Sequence, residues 1–222
     1  MAVADAGAFW PVLTRLGEAQ ILLPTVALLA LWFARRGRSV RLVAMWLLGL
    51  GGAIGLTALS KVAFMGYGWG CAPLDYTGIS GHSMFAASVY PLAGIAVLHA
   101  VAGPRALDWR WAGLALGGAM AGLVGASRVA VGAHSVFEVL IGLGLGGLVS
   151  LAALRAGRLP AVPPALWLPV ALAVWLGLTP AHAPPSTTHG LVTRLALHVS
   201  GRSAPYTRDD LHRDWRQRHA AH

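Results

Sequence analysis

Two short stretches have residue types and spacing suited to chemistry: Ser80-Gly81-His82, and Ser127-Arg128 followed after five residues by His134. Both lie at the edges of long apolar runs, where a polar or ionisable group has to be satisfied or used. Two imidazoles and a fixed guanidinium suit attack on a phosphate ester: a nucleophile or base, a proton donor, and a cation for the developing charge. Glu138 stands four residues after His134 and so lies one turn along the same helix face. A carboxylate there accepts a hydrogen bond from one imidazole nitrogen, fixes the tautomer and makes the other nitrogen a better nucleophile. The plainer reading of Glu138, a polar residue facing a water-filled vestibule, is disfavoured by the cost of a charge one turn into an apolar helix. Ser80 and Gly81 offer a hydroxyl and an unhindered amide at a helix start, a natural anion site. Lys61, Ser80, Gly81, His82, Ser127, Arg128, His134 and Glu138 are the candidate set.

The elements that must position them are apolar. Of 222 residues, 56% are hydrophobic and 11% charged, against about 25% charged in an ordinary soluble domain. Mean hydropathy is +0.64. The bilayer is therefore the expected solvent, and 28 glycines and 13 prolines suit closely packed membrane helices. Six apolar segments are expected: Gly17–Ala34, Val40–Phe64, His82–Val101, Trp111–Val131, Ser135–Ala153 and Val162–Leu178. About 20 apolar residues span the hydrocarbon core. The second to fifth reach that length; the first is marginal because of Glu18 and Gln20. The sixth is short and carries Pro163, Pro164 and Pro169, so a kink or incomplete span is expected there. The fold class is all-α, a polytopic membrane bundle of about six transmembrane helices. Phe9 to Leu13, with Arg15 and Glu18, reads as a short interfacial helix or an extension of the first span. The expected divisions are residues 1–16 (interfacial), 17–178 (core) and 179–222 (basic, polar tail). No cleavable signal peptide is expected, and the single Cys71 cannot close an intramolecular disulfide.

Arginine placement gives orientation. Arg35, Arg36, Arg38 and Arg41 crowd the first connection, Arg105 and Arg110 the third, Arg155 and Arg158 the fifth. The positive-inside rule puts these in the cytoplasm and both histidine motifs outside. The expected location is a cytoplasmic (inner) membrane of bacterial type. The formal net charge of +9 is better explained by topology and the tail than by nucleic-acid binding. The tail carries Arg194, Arg202, Arg208, Arg213, Arg216 and Arg218; a short amphipathic helix is expected over Leu191–Val199, and loose order elsewhere. Gly51/Gly55, Gly113/Gly117, Gly118/Gly122 and Gly142/Gly146 have the spacing that lets helix backbones approach.

These motifs resemble those of the type-2 phosphatidic acid phosphatase superfamily of integral membrane lipid phosphatases. That family carries Lys-x6-Arg-Pro, Pro-Ser-Gly-His and Ser-Arg-x5-His-x3-Asp. Here the second motif reads Ile79-Ser80-Gly81-His82, and the third runs from Ser127-Arg128 to His134 and Glu138. The resemblance spans Gly17 to Gly157. It implies that His134 attacks phosphorus to form a phosphohistidine, with Glu138 orienting it. His82 would protonate the leaving oxygen and then assist water. Lys61, Arg128, Ser80, Ser127 and the Gly81 amide would hold the phosphoryl oxygens, with no metal or other cofactor. The substrate would be a lipid phosphate: phosphatidic acid, phosphatidylglycerol phosphate, a polyprenyl pyrophosphate or a lipid A phosphate. Membrane lipids are the other partners.

Three departures stand out. After Lys61 the Arg and Pro positions hold Gly68 and Trp69, Glu138 replaces Asp, and Ile79 replaces Pro. Losing one charge-assisted donor costs roughly 100- to 1000-fold in rate by analogy with oxyanion-hole removal. Three consequences are open: a less charged substrate, a replacement cation such as the arginine-rich tail supplies, or a non-catalytic or phosphotransferase relative that binds lipid phosphates. A second enzyme class competes. Gly78-Ile79-Ser80-Gly81 matches the Gly-x-Ser-Gly of rhomboid intramembrane proteases, with His134 as the partner of Ser80. That reading wants glycine where Phe137 stands and leaves Lys61, His82 and Arg128 without roles. A transporter lacks the paired interrupted spans it would need.

Overall fold

The computed structural model describes residues 6–35, 39–103, 109–157, 165–182 and 188–220. Its architecture is all-α. In chain order come α1 (Ala6–Arg15), α2 (Ala19–Arg35), α3 (Val40–Tyr67), a 3-10 turn (Ala72–Leu74), α4 (Gly81–Ala102) and α5 (Arg110–Ala130). They are followed by α6 (Val136–Ala156), α7 (Trp167–His182), α8 (Thr188–Ser200) and α9 (Arg208–His219). Helices α3 to α6 are each long and apolar enough to cross a membrane; α1 and α2 form a pair bent by 46°, which as one unit makes a fifth candidate. The sixth expected segment is the short apolar helix α7, whose 16 residues reach about 24 Å. Pro169 falls in its first turn, where a missing N–H costs nothing. Arg36, Arg38, Arg105, Arg158, Pro163 and Pro164 lie outside the described residues.

Helix α4 is the spine. In its most apolar window 78% of residues are buried, against 28 to 39% for α3, α5 and α6. Its neighbours reach it through glycine. A Cβ on Gly142 of α6 would stand 2.6 Å from the Ser80 carbonyl oxygen and 3.1 Å from the Ser83 Cβ, and Gly113 would press on Gly94 and Ile95 at 3.0 Å. Gly117 and Gly146 face the α4 backbone in the same way. The expectation for the other two pairs is overturned: Gly51, Gly55, Gly118 and Gly122 have nothing within 4 Å of where a Cβ would be. They face away from the bundle, because four-residue spacing marks a small-residue stripe without saying what it faces.

Polar bonds pin the same helix. Pro91 lies inside α4 and cannot donate to the Ala87 carbonyl one turn back. Ser150 Oγ of α6 donates to that carbonyl at 2.7 Å. Trp46 Nε1 of α3 donates to the Ser88 carbonyl at 2.8 Å, and Tyr90 Oη to the Leu16 carbonyl at 2.9 Å. Away from water each such bond spares an unsatisfied group.

The first segment divides at residues 16–18 instead of running straight. Leu16, Gly17 and Glu18 each donate a tight turn bond back to Leu13, Thr14 and Arg15. Helix α1 packs on α5 and α7, so it belongs to the bundle even though Phe9 and Val12 remain exposed. The tail also departs from expectation. Residues 188–200 form α8, enclosing the expected Leu191–Val199 helix, but residues 208–219 are helical as well. Ala196 and Leu211 are buried with Val62, Phe64 and Met65 in a second apolar cluster. The polar composition of 201–222 hid the few apolar residues that anchor it.

Gly142→Ala is expected to destabilise the protein by about 1–3 kcal/mol through overpacking against the α4 backbone. Gly118→Ala, on an open face, is expected to be neutral or slightly stabilising. Thermal unfolding of both variants in one detergent checks the contrast, and equal melting temperatures would contradict it.

Candidate functional site

The second and fourth connections lie at the same end of the bundle, and with them the ends of α3, α4, α5 and α6. There a cavity of about 700 Å³ opens, with Lys61, Gly81, His82, Arg128 and His134 in its wall. Five of the eight residues expected from the sequence thus meet around one space, and Glu138 stands directly behind His134.

Glu138 is fully buried. Its Oε2 and His134 Nδ1 are 2.7 Å apart. Oε2 also accepts from the Ser135 amide at 3.1 Å, while Ser135 Oγ accepts from the Glu138 amide at 3.3 Å; together they form a capping box that starts α6. Oε1 accepts from the amide and the hydroxyl of Thr77, both at 2.6 Å. The carboxylate that would orient the histidine therefore also fixes the first turn of its helix. With Nδ1–H donating to Glu138, His134 Nε2 keeps its lone pair. Burial lowers the His134 pKa below its ordinary 6.5, and the bond to Glu138 only partly offsets this.

Arg128, in the last turn of α5, donates Nη1 to Thr14 Oγ1 at 2.8 Å. Among the described residues its Nε is buried without a hydrogen-bond partner, and so is the Thr57 hydroxyl. Both residues line the cavity. Unsatisfied buried donors beside a polar space are where a ligand's oxygens would be received. Thr57 precedes Lys61 by four residues and shares its helix face; that spacing was the only signal for it in the sequence. At the head of α4 the Ser80 side chain makes no cap bond, so the first-turn amides of Gly81 and His82 are left for another acceptor. Gly17 holds this corner closed: a Cβ there would come within 2.8 Å of His82 Cβ and 2.7 Å of Val124.

Two expected phosphate ligands are not in the cavity wall. Ser80 is fully buried, with its hydroxyl 2.9 Å from the Ser83 hydroxyl. Ser127 is fully buried and donates to the Val124 carbonyl at 2.6 Å. Both hydroxyls are spent within the bundle: Ser127, inside α5, bonds a carbonyl in the preceding turn, and Ser80, just before α4, meets a hydroxyl of that helix's first turn. A protease dyad fares no better: among the described contacts Ser80 Oγ meets Ser83, and His134 meets Glu138. Phe137 packs edge-on against Tyr76 with ring centroids 6.0 Å apart.

Gly68, where the resemblance would put an arginine, ends α3 in a left-handed conformation, φ 73°. The ring of Tyr206 lies 3.5 Å from where its Cβ would be, so the tail covers this position. Two residues on, Arg208 Nη2 donates to Glu138 Oε2 at 2.9 Å and to Thr77 Oγ1 at 3.1 Å. Nη1 donates to the Asp75 carbonyl at 3.1 Å and pairs with the Asp75 carboxylate. Sequence reasoning missed Thr77, Asp75 and this use of Arg208, since nothing local links positions so far apart.

Fold and site together define an integral-membrane helical bundle with a two-histidine cavity, polar in part and apolar in part, at one end. The chain is 34% identical over 210 residues to an uncharacterized 22.5 kDa protein in the cps region of Klebsiella pneumoniae, covering 92% of this chain and 98% of that protein. It belongs to the family of that protein. No family model matches the chain, and no solved structure matches it.

The His134 imidazole is expected to titrate below pH 6.5 in the folded protein, followed by nitrogen-detected NMR in detergent. In Glu138→Gln the midpoint should fall further, because the carboxylate favours the imidazolium. A midpoint at or above 6.5 in the unaltered protein would contradict the burial argument.

Proposed function

We propose that this protein is a membrane lipid phosphatase of the type-2 phosphatidic acid phosphatase kind, hydrolysing a lipid phosphomonoester or pyrophosphate through a phosphohistidine. One observation carries the reading: Lys61, His82, Arg128 and Glu138-bound His134 surround one cavity that continues along an apolar wall. The apolar lining includes Phe64, Met65 and Phe85 and reaches Ile54, about 10 Å down α3 from Lys61. Ile54 is exposed on the bundle surface. A headgroup phosphate among the cations and an acyl or prenyl chain leaving past Ile54 fit this shape.

In the reaction, the His134 Nε2 lone pair attacks phosphorus as the bond to the leaving oxygen breaks. His82 gives that oxygen a proton, and the lipid alcohol or lipid monophosphate departs. Water then attacks the phosphohistidine, His82 takes its proton, the P–N bond breaks and inorganic phosphate is released. Lys61, Arg128, Thr57 and the first-turn amides of α4 are placed for the equatorial oxygens, where preorganised donors contribute most. Glu138 holds the tautomer and stabilises the imidazole as charge develops. The site faces the outer side of a bacterial inner membrane in this proposal, following the arginines at the opposite helix ends, Arg35, Arg41, Arg110 and Arg155.

A second reading is favoured by one observation, the glycine at position 68. A relative with one fewer phosphate cation would bind lipid phosphates without turning them over.

Phosphate release from a panel of lipid phosphates and pyrophosphates, set against soluble phosphate esters, separates the two. Release is expected from lipid substrates only. His134→Ala should abolish it and His82→Ala should lower it by about 100- to 10,000-fold. Acid quenching should trap acid-labile phosphate on the unaltered protein and none on His134→Ala. Release that survives His134→Ala would sink the mechanism; binding without release would establish the second reading.

A further inference from the structure

The arginine-rich tail does bring a cation to the site, but its bonds go to a carboxylate. Both terminal nitrogens of Arg208 are engaged with protein acceptors, Nη1 on Asp75 and Nη2 on Thr77 and Glu138. A guanidinium held by a fork on two sides is fixed in plane and direction. We infer that Arg208 is a positioning residue for His134, acting through Glu138, so that the site is complete only when the C-terminal helix is docked. For its rate readout this rests on the phosphatase reading.

The surroundings are built to present this side chain. Thr207 caps α9 in a capping box with Asp210, which makes Arg208 the first helical residue. The Tyr206 amide donates to the Met65 carbonyl at 2.9 Å, its hydroxyl donates to Asp214 at 2.6 Å, and its ring meets Phe64 edge-on at 5.5 Å. Leu211 buries itself one turn on. Asp75, the other end of the fork, is held left-handed at φ 49°, a conformation that non-glycine residues adopt at a cost. His212 Nε2 stands 2.7 Å from its second carboxylate oxygen. Two carboxylates, one of them fully buried, would repel across this corner; Arg208 lies between them and offsets both.

The consequence for His134 follows from charge. Its neighbours are Glu138 on α6, Lys61 on α3, His82 on α4 and Arg128 on α5, with Arg208, Asp75 and His212 beyond Glu138. Removing Arg208 leaves the Glu138 charge less compensated and one oxygen short of a donor. The imidazolium form of His134 is then favoured and its ring loses a fixed anchor.

The test uses the full chain in detergent, with Arg208→Gln, Arg208→Lys and, as a control, Arg213→Gln; Arg213 pairs with Asp210 on its own helix. Arg208→Gln should lower kcat by about 10- to 100-fold with KM little changed, as for other residues that orient a reacting group from behind. It should also move the His134 NMR titration and the acid limb of the pH–rate profile to higher pH. Arg208→Lys keeps the charge but not the fork and should fall between. In a Glu138→Gln background Arg208→Gln should add little further loss, since the two act as one unit. An unchanged His134 titration in Arg208→Gln, or full additivity with Glu138→Gln, overturns the proposal. If the unaltered protein releases no phosphate, the phosphatase reading fails by itself and the His134 titration alone decides the role of Arg208.

Discussion

A fully buried carboxylate in an apolar bundle is unfavourable unless its lone pairs and its charge are both met. Glu138 meets that requirement with donors from three parts of the chain: the Thr77 amide and hydroxyl, the His134 ring with the adjacent Ser135 amide, and the Arg208 guanidinium. The consequences spread outward. The loop between α3 and α4 must pass over the start of α6 to deliver Thr77. The turn between α5 and α6 must be short, so that Ser135 can cap and His134 can face the same oxygen. The C-terminal segment must return to the end of the bundle at which α3 finishes. One buried carboxylate thereby ties the α3–α4 loop, the start of α6 and the C-terminal segment together.

The second constraint is closeness to α4. A helix buried on nearly all faces must offer its neighbours small surfaces, and it receives them at Gly113 and Gly117 of α5 and at Gly142 and Gly146 of α6. Close approach puts side-chain donors within reach of backbone carbonyls, which is how Ser150 supplies the bond that Pro91 removes. The same closeness sets the site. Gly142 lies against Ser80, and the Ser80 amide donates to the Glu138 carbonyl at 3.2 Å. The α4 start, with His82, is thus registered directly on the α6 start, with His134 and Glu138. Packing and the placement of both histidines are one arrangement.

This explains what the sequence could disclose. The apolar periods and the motif spacings lie within single helices or across short connections, so the all-α class, the convergence of Lys61, His82, Arg128 and His134, and the His134–Glu138 pair were legible. The direction of a serine hydroxyl is not a matter of spacing. Ser80 and Ser127 sit in the expected motifs yet turn inward, because a neighbouring hydroxyl or a carbonyl one turn away was available. In a membrane bundle an outward face is as apolar as an inward one, which is why Gly51/Gly55 and Gly118/Gly122 looked the same as the pairs that pack. The docking of α9 depends on Leu211, Tyr206 and Arg208 meeting residues 70 or more positions earlier, a tertiary fact with no local trace.

The charge balance of the cavity follows from these placements. Asp75 and Glu138 pair with Arg208, and Lys61 and Arg128 are two further cations in the cavity wall. Arg128 has Glu18 nearby, and Glu18 lies 3.5 Å from Arg15 as well. The bend between α1 and α2 brings Thr14 to the Arg128 guanidinium and Glu18 near it, while among the described residues Nε has no acceptor. Neutral donors stand at the same cavity: the Thr57 hydroxyl, and the Gly81 and His82 amides at the start of α4. Donors of that kind discriminate by geometry more than by charge. Gly68 leaves room for the Tyr206 ring, and two residues on Arg208 is committed to the carboxylate that holds His134, so closure of the α3 end and the fixing of the histidine depend on the same docked segment.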